Sequence, residues 1–212
     1  MHDDVAERAY CAGKQYEAEY HGCAQCVLGA LQDAFDARDD AVFQAATGLS
    51  GGGGGAGDGS CGAYAGASMF IGQLLGRNRN DFTDAEGVRH ETSRLVVQLH
   101  ERFTDHYGSV VCGDIQTSVI GRSYNLNDPE DVERFKAAGA HEVHCPEVVG
   151  RAARWAAEIV VANALVHGVD LIEPVEAVGT LDEADRARLG SHDDGMGFDS
   201  PAVEADAFEE RT

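Results

Sequence analysis

Twelve consecutive positions, Gly48 to Gly59, hold eight glycines. Glycine gives up more backbone freedom on folding than any other residue and brings no side chain to a core. Such a run excludes helix or strand over its length and must be fixed by whatever flanks it. On both sides of it apolar residues recur at helical spacing, whereas alternating β-branched runs are short and rare. The expected fold is all-α: a compact multi-helix domain interrupted by a glycine-rich loop.

Val5 to Tyr20 reads as a first helix. Cys23 to Phe35 reads as a second, with Val27, Leu28, Leu31 and Phe35 on one face, and Ala41 to Thr47 as a short third. After the glycine run, Cys61 to Leu75 carries Met69, Phe70, Ile71 and Leu74. Its Gly62, Ala63, Ala65, Gly66 and Ala67 form a face of small residues. That face can receive a second backbone closely, from a copy of the chain in a homodimer or from an element of the same chain. Asp84 to His106 is amphipathic through Val88, Leu95, Val96, Leu99 and Phe103, while the pattern of Ser109 to Gly121 assigns it to no element. Asp128-Pro129 and Cys145-Pro146 mark two further helix starts, the second running to His167. The four-cysteine domain is thus expected over residues 1–170. From Asp170 to Thr212 thirteen acidic residues stand against three arginines. Residues 171–212 are therefore expected to form a mobile acidic C-terminal tail, with a short helix near Leu181 to Leu189.

The formal net charge is -21, and only two of sixteen basic residues, Lys14 and Lys136, are lysines. Such a surface repels phosphate backbones and anionic lipid, which argues against nucleic acid and membrane surfaces as partners. The same composition fits a halophilic cytoplasm, where salt screens self-repulsion. On that reading added salt raises the melting temperature, and a melting curve indifferent to salt would contradict it. No apolar run reaches the eighteen or so residues of a membrane span, and Met1-His2-Asp3-Asp4 lacks the layout of a signal peptide. A cytoplasmic location is expected. In a reducing cytosol six cysteines are better read as buried, metal-binding or catalytic than as a disulfide framework.

Their contexts differ. Cys23 follows His21-Gly22 at a predicted helix start, Cys61 follows the glycine loop at another, and Cys145 precedes Pro146 near a predicted N-cap. Cys112 sits beside Gly113 in the unassigned segment. A helix N-terminus offers partial positive charge and unpaired N–H groups, and both favour the thiolate that binds metals and does redox chemistry. Glycine beside a cysteine lets backbone amides approach closely. For any single cysteine the plainer reading is a small buried hydrophobe, and Cys11, inside the first helix, stays with that reading. Cys26 forms a Cys-x-x-Cys with Cys23, a spacing of redox pairs and zinc sites. His21 and His144, close to Cys23 and Cys145, are candidates for ligand or proton partner, though surface or capping roles are commoner for histidine.

At these residues the chain resembles the C_GCAxxG_C_C family, described as redox-active. Its Cys-Gly-Ala-x-x-Gly motif reads here Cys61-Gly62-Ala63-Tyr64-Ala65-Gly66, behind the glycine-rich lead-in Leu49 to Gly59. The first cysteine matches Cys23-Ala24-Gln25. The third matches Cys112 after Phe103 and Gly108-Ser109, and the last matches Cys145. The resemblance covers roughly residues 5 to 167. It implies Cys23, Cys61, Cys112 and Cys145 as the cofactor-binding and metal-ligating set. Through a related domain of split-Soret cytochromes it further implies a two-iron, two-sulfur (2Fe-2S) iron–sulfur cluster and an unidentified redox partner protein. Cys26, one helical turn from Cys23, leaves open which of the two is the ligand. Cys26 is followed by Val27, not by the histidine of a Cys-x-x-Cys-His, so covalent haem is not expected.

Other chemistries fit less well. Ser60 and Cys61 stand where a P-loop needs Lys and Ser or Thr. No strand precedes the glycine run, which weakens a dinucleotide reading. No His-Glu-x-x-His or EF-hand loop is present. Three functions remain: an electron carrier or redox sensor holding an iron–sulfur cluster, a thiol–disulfide oxidoreductase using Cys23 and Cys26 or another cysteine pair, and a structural zinc module.

Overall fold

The computed structural model describes residues 2–167. The tail expected over 171–212, its helix near Leu181 to Leu189 and the domain boundary at 170/171 lie outside the described residues. Within them run α1 (His2–Tyr20), α2 (Cys23–Ala34), α3 (Asp40–Ala45), α4 (Gly62–Leu75), α5 (Val88–Tyr107), α6 (Cys112–Ile120), α7 (Pro129–Ala137) and α8 (Cys145–His167). The expected all-α class is what forms. The only extended pairing among these residues is an isolated bridge between Ser60 and Val111. No helix among them is long and apolar enough to cross a membrane.

Two differences from the sequence reading have local causes. The Ser109 to Gly121 segment contains α6, a helix too short for its apolar periodicity to stand out. The fifth helix starts at Val88 rather than Asp84, because Asp84 and Gly87 both take left-handed backbone, φ 57° and 73°. Gly87 is the N-cap, and the Asp84 carboxylate accepts the Arg89 N–H in the first turn of the helix at 3.2 Å.

The long α8 touches α1, α2, α4 and α5. Its crossing with α1 is close because the meeting residues are small. A Cβ on Gly13 would lie 3.3 Å from the Val149 carbonyl oxygen, and Ala6, Ala9, Ala152, Ala153, Ala156 and Ala157 are buried there. At the rim of this crossing Lys14 and Tyr10 both donate to Glu147, at 2.9 and 2.8 Å. The small-residue face of α4 is occupied within the chain: a Cβ on Gly66 would run into the Ala24 carbonyl of α2. From α5, Leu95, Leu99 and Phe103 face inward, and the Phe103 ring meets Tyr64 and Trp155 edge-on at 5.4 Å each. A separate small cluster of Tyr124, Phe135 and Ala140, with Leu126 and Cys145 against it, covers one side of the site.

Candidate functional site

The glycine loop is ordered, and its order sets two cysteines side by side. Gly51 to Gly55 all have positive φ, between 57° and 84°, so the chain coils tightly on itself. Gly54 N–H donates to the Gly48 carbonyl and Gly57 N–H to that of Gly51, each at 2.9 Å. The coil is then stitched to the strand-like lead into α6. Cys61 N–H donates to the Val110 carbonyl at 2.8 Å, Cys112 N–H to Gly59 at 2.9 Å and Gly113 N–H to Gly57 at 2.8 Å. Cys61 thereby becomes the N-cap of α4 and Cys112 the first residue of α6. Gly52 shows why the run is glycine: besides its φ of 78°, a Cβ there would stand 2.9 Å from the Cβ of Cys112.

The other two cysteines arrive from tight corners. Between α1 and α2, His21 and Gly22 take φ 59° and 85°, and Cys23 opens α2. The Ser50 hydroxyl accepts the Ala24 N–H at 3.3 Å, tying this corner to the glycine loop. Cys145 does not sit at an N-cap as its Pro146 suggested. A π-helical turn, Ala140–His144, leads directly into α8, and the Cys145 N–H is already bonded to the Ala140 carbonyl. The break in helical backbone falls earlier, at left-handed Gly139.

All four cysteines line one cavity of about 300 Å³, together with Glu17, Gln116, His141, Leu126 and Phe135 among others. Neither Cys11 nor Cys26 lines it. Cys11 is exposed, and the Cys26 thiol points the other way, donating to the His21 carbonyl at 2.9 Å beside a separate cleft. The π-turn brings His141 into the cavity, not His144, while His21 stacks on His141 at a ring separation of 4.0 Å. Among the described residues no three His, Cys, Asp or Glu side chains converge on a point that would hold a single ion. The thiols ring a space instead.

Burial is the largest influence on every one of these thiols, and it pushes them up. Cys61 and Cys145 lie well above the ordinary thiol range, through burial and then through the neighbouring cysteines. Burial and the charge of Cys23 carry Cys112 up to about 12. Cys23 is raised by burial and by Glu17. Cys26 is raised strongly by burial and by Glu17 beside it. Hydrogen-bond donors oppose these shifts at three of the four cavity sulfurs: Gly51 N–H, Ala24 N–H and the Ser50 hydroxyl at Cys23, the first-turn amides of Ala63 and Tyr64 at Cys61, and Gln116 at Cys112. Gln116 is 4 % exposed, its Nε2 donates to Cys112 Sγ at 3.5 Å, and its Oε1 accepts the Tyr124 N–H at 2.7 Å. Donors therefore stand ready for thiolates, while no Lys or Arg lines the cavity to supply positive charge. A cationic metal core is the kind of group such a lining fits, since thiolate ligation releases the protons that burial holds on.

The sequence reading did not single out Glu17, Gln116 or His141. His141 stands four residues before Cys145, a helical spacing that would have flagged it. Glu17 is one of thirty-seven acidic residues and carries no such signal.

The family described as "Putative redox-active protein (C_GCAxxG_C_C)" matches residues 21–159, from the corner before Cys23 into the middle of α8. No curated protein and no solved structure matches the chain. The match takes in every cysteine of the cavity and most of the chain, and the chain belongs to the C_GCAxxG_C_C family.

Proposed function

We propose that this is a redox protein whose cavity holds an iron–sulfur cluster, a two-iron, two-sulfur unit, through Cys23, Cys61, Cys112 and Cys145. The observation that carries the reading is the shared cavity: four cysteines far apart in sequence reach it, and Cys11 and Cys26 do not. When bound, the cluster supplies one-electron chemistry. The chain's own residues set the conditions. Gly51, Ala24, Ala63 and Tyr64 amides and the Gln116 side chain aim hydrogen bonds at the sulfurs, the kind of contact that tunes a potential. Leu126, Phe135, Val148 and Val149 keep the surroundings apolar. Electrons then pass to or from a partner redox protein. A net charge of -21 favours a partner with a basic docking face.

The other readings find less support. A tetrahedral zinc site needs its sulfurs about 2.3 Å from one point, and the side chains do not converge in that way. A redox-active Cys-x-x-Cys works through a thiol of lowered pKa, whereas burial raises both Cys23 and Cys26.

A serine panel tests the assignment. In protein made anaerobically, Cys11→Ser and Cys26→Ser are expected to keep the visible absorption and iron content of the wild type. Cys61→Ser and Cys112→Ser are expected to lose most of both. Retention in Cys23→Ser together with loss in Cys26→Ser would sink the choice of Cys23.

A further inference from the structure

A second cleft, of about 370 Å³, opens beside α2 and shares no lining residue with the cysteine cavity. Tyr16 and Tyr20 of α1 and Phe43 of α3 line it, the two tyrosine rings 6.1 Å apart. Tyr20 is 71 % and Phe43 36 % exposed, so two of the five large apolar side chains left open among the described residues meet here. Gly29 of α2 lies between the rings. A Cβ there would reach Phe43 Cε2 at 3.4 Å and Tyr16 Cδ2 at 4.0 Å, so the missing side chain leaves a hollow. The charge around it is mostly negative. Asp33 lines the cleft and accepts the Tyr16 hydroxyl at 2.6 Å, and Asp40 lines it paired with Arg38. Asp36 and Asp39, in the loop between α2 and α3, bring the carboxylates to four against one guanidinium. Aromatic faces bordered by carboxylates suit a cation, and tyrosine is among the residues that carry most binding energy at interfaces.

The cleft also lies against the cysteine cavity. His21 lines the cleft, and its ring stacks at 4.0 Å on His141, which lines the cavity. Cys26 lines the cleft one helical turn from Cys23, and its thiol donates to the His21 carbonyl at 2.9 Å. One layer of side chains therefore separates the cleft from the four thiols. The cavity itself gives a partner protein little to grip, since the one carboxylate in its lining, Glu17, is 2 % exposed.

We propose that this cleft is the docking site for the redox partner protein and receives a lysine or arginine side chain from the partner's basic face. The cation settles over Gly29 between Tyr16, Tyr20 and Phe43, with Asp33 beside it. Docking there brings the partner's redox centre against the His21–His141 stack. One electron passes between the centre in the cysteine cavity and the partner's centre, and no bond forms or breaks. This rests on the redox reading above and adds to it the surface through which the electron leaves.

The test uses the full-length protein and ferric cytochrome c, a small basic haem protein, as the probe. Calorimetric titration at low ionic strength reads binding without depending on the cluster. Stopped-flow reduction of the haem, by protein reduced and then freed of reductant, reads electron transfer. The variants are Tyr20→Ala, Asp33→Asn and Gly29→Ala. The last fills the hollow with a methyl at ordinary contact distance and favours the helix. Phe82→Ala, at a ring 70 % exposed, and Asp105→Asn on α5 are the controls for an open aromatic and for bulk charge. Circular dichroism and iron content are checked for each. Each cleft variant is expected to weaken binding about 5–10-fold and to slow haem reduction to a similar degree, with iron unchanged. The controls are expected to match the wild type. Iron-loaded wild type that reduces the haem while the cleft variants bind and transfer as it does overturns the docking site and leaves the cluster standing. Equal losses in Asp105→Asn overturn it as well, since charge alone would then account for the binding. Wild-type protein without iron overturns the redox reading and this inference with it.

Discussion

Gly66→Ala is expected to lower stability by about 3 kcal/mol, the upper part of the range for overpacking a tight core. For a domain of this size that is a drop in melting temperature of roughly 6–12 °C. The cause is local. A methyl group at this position is driven into the Ala24 carbonyl and also crowds Val27 Cγ1 at 2.6 Å. Rigid backbone cannot yield as a side-chain tip can, so α2 and α4 must separate. Gly72, in the same helix, supplies the control: nothing stands within 4 Å of a Cβ there. Gly72→Ala is expected to raise stability by up to about 1 kcal/mol, because alanine is the better residue inside a helix. Urea melts of the two variants read the contrast directly. Equal effects would mean that α2 and α4 do not meet as described.

Gly62→Ala is expected to act on the site rather than on the fold as a whole. Its added methyl would occupy the place of the Cys23 sulfur and stand 3.1 Å from both Ala24 N and Ser50 Cα. Cys23 can swing aside, and the thiol would then leave the donors at Gly51, Ala24 and Ser50. Cluster affinity is expected to fall by about 10–100-fold, the usual scale for disturbing the groups that orient a metal ligand. Helix content should change little, and the loss is read as iron per chain at limiting iron. A Gly62→Ala protein with wild-type affinity would remove Cys23 from the ligand set.

Much of the fold was legible because α1, α2, α4, α5 and α8 are long enough for their apolar periodicity to show. The glycine run was legible as irregular backbone, but not as a coil stitched to α6. Its hydrogen bonds join positions some fifty residues apart, such as Cys112 and Gly59, and no local pattern encodes them. Three cysteines were expected at helix starts. Cys112 joins them because α6 begins at that residue, while Cys145 follows a π-turn that Pro146 does not announce. One turn after Cys23 on α2, Cys26 does not line the cavity, and its thiol donates to the His21 carbonyl, a contact that no local sequence pattern announces. Glu17 could not have been chosen from sequence, since only burial separates it from the other carboxylates.

The most direct measurement is the iron and acid-labile sulfide content of wild-type protein, expressed and purified anaerobically in high salt, read together with its visible spectrum. The account requires iron and sulfide at about two each per chain, with visible absorption from the cluster. Colourless protein holding neither, or holding only zinc, would contradict it.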